Sequence, residues 1–328
     1  MKITMTHGSG GKATSDLIAN IFAKHFQNPV LAKMEDSAVV PGAATLAITT
    51  DSFVVTPLFF NGGDIGKLAV CGTVNDLAVS GAVPKYLTCG FILEEGAETE
   101  DLEKIAVSMA ETAEEAGVVI VAGDTKVVEG SGGIYINTSG VGFLADSCCV
   151  SAANCAEGDA VLLSGNLGDH HAAILSARMN IANTIQSDCA PLNDMTAALM
   201  KSGVRVKAMR DVTRGGLATV LNEFAAASQC CILLNEERIP VSEQVRGFCG
   251  ILGLDPLYMG NEGKMVAVVA GEDAQKALNC MKNCKYGENA AVIGEVASGE
   301  AETVLLNTLI GGIRILTELY GEGLPRIC

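Results

Sequence analysis

Three short apolar runs in this chain end alike. Leu46-Ala47-Ile48-Thr49-Thr50 runs into Asp51, Val118-Val119-Ile120-Val121 runs through Ala122 into Gly123-Asp124-Thr125-Lys126, and residues 204–209 run into Arg210-Asp211-Val212-Thr213. Each run has the β-branched, apolar character of a buried strand. Helical spacing is predicted over 14–26, 64–80, 242–252 and 273–282, and further strands at 133–143, 159–163, 265–269, 291–296 and 302–306. Strands alternating with helices bury both only when helices lie on the faces of a sheet, so the pattern specifies an α/β (α+β) fold. The chain has 328 residues, enough for two domains. The stretch 146–157, rich in Ala, Ser and Cys and without periodicity, marks the boundary. The expected division is 1–150, 151–320 and a tail at 321–328.

Composition excludes several classes. The formal charge of −16 argues against nucleic acid or an anionic membrane as the main partner. It leaves an anionic nucleotide open, because Mg²⁺ and lysines reverse the sign locally. The apolar runs are too short to span a bilayer, and Met1-Lys2-Ile3-Thr4 has no signal-peptide character. The 12 cysteines lie mostly in apolar contexts, which is the expectation for free thiols in a reducing cytoplasm. Cys280 and Cys284 lack a second pair and a nearby His, so buried helix cysteines are expected rather than a metal site.

The acidic turns carry the chemistry. Asp36, Asp51, Asp76 and Asp124 all fall at or near expected element ends, where one carboxylate alone is an ordinary cap or turn former. Four together are what Mg²⁺ needs to hold a triphosphate, and Lys126 beside them offsets phosphate charge. His7-Gly8-Ser9-Gly10-Gly11-Lys12 is not a Walker A loop, since Thr6 stands where its first Gly belongs and Ala13 follows the Lys. It is a flexible segment able to fold over phosphates. Asp211 and the glycines after it form a second such turn. Asn261-Glu262-Gly263-Lys264 is a polar turn between apolar elements. His170 and His171 are adjacent and cannot share a helix face, so no zinc pair is expected.

The chain closes on Gly321-Glu322-Gly323-Leu324-Pro325-Arg326-Ile327-Cys328. Extended, such a tail reaches roughly 26–29 Å. Its glycines supply hinge freedom and Pro325 stiffens the tip. Arg326, at i and i+2 with Cys328, favours a thiolate there.

Taken in order, His7 to Gly11, Thr50-Asp51-Ser52-Phe53-Val54, Gly62 to Ala69, Gly72 to Ala78, Gly123 to Val128, Gly168-Asp169-His170, Thr213 to Leu217, Asn261 to Lys264 and Pro325-Arg326-Ile327-Cys328 resemble the HypE family of hydrogenase maturation factors. The ending is the specific part. The Asp-rich segments alone fit the wider superfamily of aminoimidazole ribonucleotide synthetase, selenophosphate synthetase and thiamine monophosphate kinase. The resemblance implies two α/β domains of that superfamily, with the N-terminal domains pairing as a homodimer around a barrel-like sheet and ATP held nearby. It implies that Cys328 receives a carbamoyl group from the carbamoyltransferase HypF. ATP then drives dehydration to a thiocyanate, and cyanide passes to iron on HypC–HypD. Lys126 is then the candidate for stabilising the transferring group and Glu262 the candidate base. Asp36, Asp51, Asp76 and Asp124 would hold Mg²⁺, and His7, Lys12, Lys67, Thr125 and Asp211 join these aspartates around ATP. Two other readings stay open here: a small-molecule kinase or synthetase of the superfamily with an idle tail, and a non-catalytic maturation scaffold.

Overall fold

Alternation along four strands sets the first sheet. The computed structural model describes residues 1–145 and 148–319, so the expected hinge at Gly321 and Gly323, Arg326 and Cys328 lie outside the described residues. The strand order is Thr45–Phe53, Ile134–Leu144, Val83–Glu94, Val119–Val128. Neighbours are antiparallel except the last pair, which is parallel and joined through helix Thr99–Ala116. In that helix Leu102, Ile105, Ala106, Met109, Ala113 and Ala116 recur every three or four residues and are buried. The sheet of one copy is open, with Thr45–Phe53 and Val119–Val128 at its edges.

Helix Ile65–Val79 is apolar all round, and thirteen of its fifteen residues are buried. Such a helix needs cover on every side. It lies between the first sheet, helix Thr99–Ala116 and the second domain, where Val79 shares a core with Leu162, Met209 and Met265. Its start is fixed by Asp64, whose Oδ1 accepts the N–H groups of Gly66 at 2.7 Å and Lys67 at 3.1 Å.

The second sheet has seven strands, in the order Ile313–Leu316, Thr303–Asn307, Cys231–Asn235, Ala291–Ala297, Ala160–Leu163, Met265–Val269, Val206–Asp211. All five residues of Met265–Val269 are buried, because cores form on both faces there.

Two expectations are corrected. The strand at 118–121 does not turn at Gly123-Asp124. It continues to Val128, because Val83–Glu94 pairs with it over its whole length. The expected helix over 14–26 is instead Lys12–Leu17, a π turn at Ile18–Phe22, and Ala23–His25.

Residues 185–192 strap the two domains together. Ser187 N–H donates to Asn61 O at 2.7 Å, and Asn61 Nδ2 donates to Ile185 O at 2.7 Å. Asn75 Nδ2 donates to Ala190 O at 3.1 Å and to Glu262 O at 3.3 Å, while its Oδ1 accepts Leu192 N–H at 2.8 Å. The approach is close enough to demand glycine at two points. A Cβ on Gly62 (φ +95°) would lie 2.7 Å from Ser187 N, and one on Gly263 would lie 1.9 Å from Asp188 O.

Replacing Asn75 by Ala leaves buried N–H and C=O groups of the strap without partners. Asn75→Ala is expected to cost roughly 2–4 kcal/mol, read as a lower urea midpoint; an unchanged midpoint contradicts the strap's role.

Candidate active site

The aspartates expected to gather at one point divide into two groups, and strand pairing explains the division. Asp51 pairs across to Thr138, which pairs to Cys89, on the face toward the helices where Thr138 and Cys89 are buried. Asp124 lies in the row of Gly90, Asn137 and Ser52 on the opposite face. These are the two edge strands, so Asp51 and Asp124 stand about 14 Å apart at one strand spacing per step. Among the described residues no three His, Cys, Asp or Glu side chains converge as a metal-holding group.

The first group lines a cavity of about 300 Å³ beneath the glycine segment. Gly8, Gly10, Asp36, Asp124 and Lys126 border it, and Phe22 and Phe91 form an apolar wall, their ring centroids 4.4 Å apart. Lys126 Nζ donates to Asp124 Oδ1 at 2.9 Å, which holds the Asp124 carboxyl below its usual range. Both side chains are largely exposed, so this pair is weakly held and can open to a phosphate. Thr125, the next residue on the strand, is buried and lines the same cavity. His7 and Lys12 are engaged locally: Thr4 N–H donates to His7 Nδ1 at 3.1 Å, and Lys12 pairs with Asp16 at 2.8 Å.

The second group sits between the domains. Asp51 and Asp76 come from the first sheet and the central helix, and Asp211 and Glu262 from the second domain. Burial raises the Asp51 carboxyl, and Asp76 adds to this while Arg214 opposes it. Burial also raises Asp76, against a 2.7 Å hydrogen bond from Thr49 Oγ1. Asp211 is pushed up to about 7, first by burial and then by Asp76 and Asp51. Glu262 is raised well above the usual range by burial and by Asp211, Asp188 and Asp51. These are mutually repelling carboxylates that share a cleft, the arrangement that a cation stabilises. Lys67, in the first turn of the central helix, instead donates to Gly62 O at 3.3 Å.

Asn261, read from the sequence as part of a turn, is fully buried and structural. Its Nδ2 donates to Val212 O at 2.9 Å and its Oδ1 accepts Gly168 N–H at 2.8 Å. His171 is buried in helix Asp169–Met179, where its Nδ1 accepts Gly260 N–H at 3.4 Å. Cys280 and Cys284 are half-buried free thiols, and all cysteines among the described residues are free. Sequence reasoning missed Asp188, which lies beside both Glu262 and Lys264. Only the fold brings this loop residue to the cleft.

Comparison with known proteins places this geometry in context. Residues 34–144 match the N-terminal domain of AIR synthase related proteins and residues 156–307 match their C-terminal domain. The carbamoyl dehydratase HypE of Rhodobacter capsulatus is 47% identical, over 100% of this chain and 98% of its own length. A crystal structure of the hydrogenase maturation protein HypE in complex with ATP superposes with a TM-score of 0.95 at 45% identity, covering 99% of both chains. A HypE–HypF complex matches with a TM-score of 0.81 at 50% identity, covering 92% of this chain and 99% of that one.

The crowding at Asp211 has a pH signature. Its pKa is raised on folding, so between the unfolded value and about 7 the native state binds more protons. The metal-free protein should therefore lose stability as pH rises through that window, and Asp211→Asn should make this loss smaller. Thermal unfolding of both proteins from pH 5 to 8 checks it; parallel curves contradict the crowding.

Proposed function

Since the chain belongs to the HypE family of carbamoyl dehydratases, within the AIR synthase related proteins, we propose that its substrate is its own Cys328, carbamoylated on sulfur. The enzyme is an ATP-dependent dehydratase that converts the S-carbamoyl group to S-cyanocysteine for hydrogenase maturation. The observation that carries this reading is the carboxylate cleft between the domains, in a chain 45% identical over 99% of its length to the ATP-bound structure.

A thiocarbamate oxygen is a poor leaving group. Transfer of the γ-phosphoryl of ATP to that oxygen makes the leaving group phosphate. Loss of two N–H protons and of phosphate then leaves S–C≡N, with ADP and phosphate as the other products. The chain's task is chiefly to hold the carbamoyl oxygen in line with the phosphoryl group. In our reading His7, Lys12, Lys67, Thr125 and Asp36 surround the nucleotide, and Lys126 leaves Asp124 to meet phosphate charge. Glu262 takes a nitrogen proton; its raised proton affinity makes it a stronger base when ionised. Asp211 supports the cleft from behind. Asp51 and Asp76 fit Mg²⁺, which is held by one or two carboxylates with phosphate oxygens completing its shell. Bound there, the ion would neutralise charge developing on the phosphates. Asp36 and Asp124 stand with the other group and are left to the nucleotide.

We assign HypF as the carbamoyl donor, HypC–HypD as the cyanide acceptor and the cytoplasm as the compartment. Among the described residues no helix is long and apolar enough to cross a membrane. The proposed division is 1–150, 151–320 and a tail at 321–328. A homodimer is supported by the open face of the first sheet, where Leu46, Ile48, Ile92 and Val128 are exposed, Ile48 at 71%.

Intact mass after carbamoylation tests the function. Wild type should lose one water only when ATP is present, whereas Cys328→Ala should never carry the carbamoyl group. Water loss without ATP, or carbamoyl turnover in Cys328→Ala, overturns the assignment. For the dimer, Ile48→Asp should give a monomer by sedimentation; an intact dimer rejects the sheet as its interface.

A further inference from the structure

Glu262 sits in a turn whose position is fixed by a residue outside the nucleotide site. Asp188 Oδ1 accepts the main-chain N–H of Glu262 at 3.0 Å. The other oxygen, Oδ2, faces Lys264 Nζ at 3.5 Å, and that lysine is itself buried and donates to Gly263 O at 3.2 Å. One carboxylate thus grips the Glu262–Lys264 turn at both ends. The side chain of Asp188 is only 3% exposed, so water does not replace these contacts. The strap packs onto the same turn through its backbone, with Gly263 leaving no room for a Cβ against Asp188 O. Asn75 adds a bond from the central helix to Glu262 O.

A buried carboxylate with a lysine 3.5 Å away and no hydrogen bond on Oδ2 is costly to keep for stability alone. Its one short hydrogen bond goes to the backbone of the residue assigned as base. We propose that Asp188 is a positioning residue for the dehydration: it aims Glu262 at the carbamoyl nitrogen by holding the Glu262 N–H, and Lys264 holds Asp188 in turn. This rests on Glu262 being the base. Asp188 does not line the cavity beneath the glycine segment, so its loss should slow chemistry without weakening nucleotide binding.

The test follows one round of dehydration of the full-length, Cys328-carbamoylated protein by mass, over a range of ATP concentrations. Asp188→Ala should slow the step at saturating ATP by about tenfold or more, with half-saturation by ATP moved less than about twofold. Asp188→Asn keeps an acceptor for the Glu262 N–H and should recover most of the rate. If the Ala variant does not fold, Asp188→Ser, whose hydroxyl is too short to reach, takes its place. In a Glu262→Gln background, loss of Asp188 should add nothing further. Equal losses in the Asn and Ala variants, a raised ATP requirement, or additivity with Glu262→Gln each overturn the role of Asp188. Full activity of Glu262→Gln alone is a separate result, and it overturns the assignment of the base.

Discussion

The amide of Asn75 is the interaction on which the site depends. It lies on a helix that belongs to the first domain by sequence and to both domains by packing. Its oxygen and nitrogen are spent on the main chain of the strap and of the Glu262 turn. The next residue, Asp76, is thereby set beside Asp51 and opposite Asp211. An apolar residue at position 75 would pack in the same space and leave the domains' registration undetermined, since apolar contact is non-directional. A satisfied buried amide is directional, and direction is what a cleft of converging carboxylates requires.

That cleft is electrostatically unfavourable without its ligand. Burial raises the proton affinity of all four carboxylates, and neighbouring carboxylates raise Asp51, Asp211 and Glu262 further. Natural folds hold such repulsion where chemistry needs it. The strap, the two glycine approaches and the all-buried strand Met265–Val269 are the stabilising counterpart. The first group, around Asp124 and Lys126, differs in kind. It is exposed and weakly paired, suited to opening and closing around a nucleotide.

Much of this was legible in the sequence. The strands at 265–269, 159–163 and 133–143 and the central helix were marked by composition and period, and Asp51, Asp76, Asp211 and Glu262 by their turns and by family resemblance. Val83–Glu94 was not marked, although it is the longest strand. Pro84, Lys85, Thr88 and Gly90 interrupt its pattern, and it is held by neighbours on both sides rather than by its own propensity. Missing that strand is why Gly123-Asp124 read as a corner. Asp188 had no local signal, because Gln186-Ser187-Asp188-Cys189 is an ordinary polar stretch until the fold carries it against Asn61, Asn75 and Glu262. The division of the aspartates was hidden for a similar reason: period two sends neighbouring positions to opposite faces, and only pairing shows which edge each occupies.

Under the proposed function, these features serve an enzyme that works on a group carried on its own Cys328. The central claim is that ATP activates the carbamoyl oxygen itself. Oxygen tracing tests this most directly. With ¹⁸O in the carbamoyl group on Cys328, the account predicts that the label is recovered in inorganic phosphate as the thiocyanate forms. Label recovered in water, with unlabelled phosphate, would contradict it.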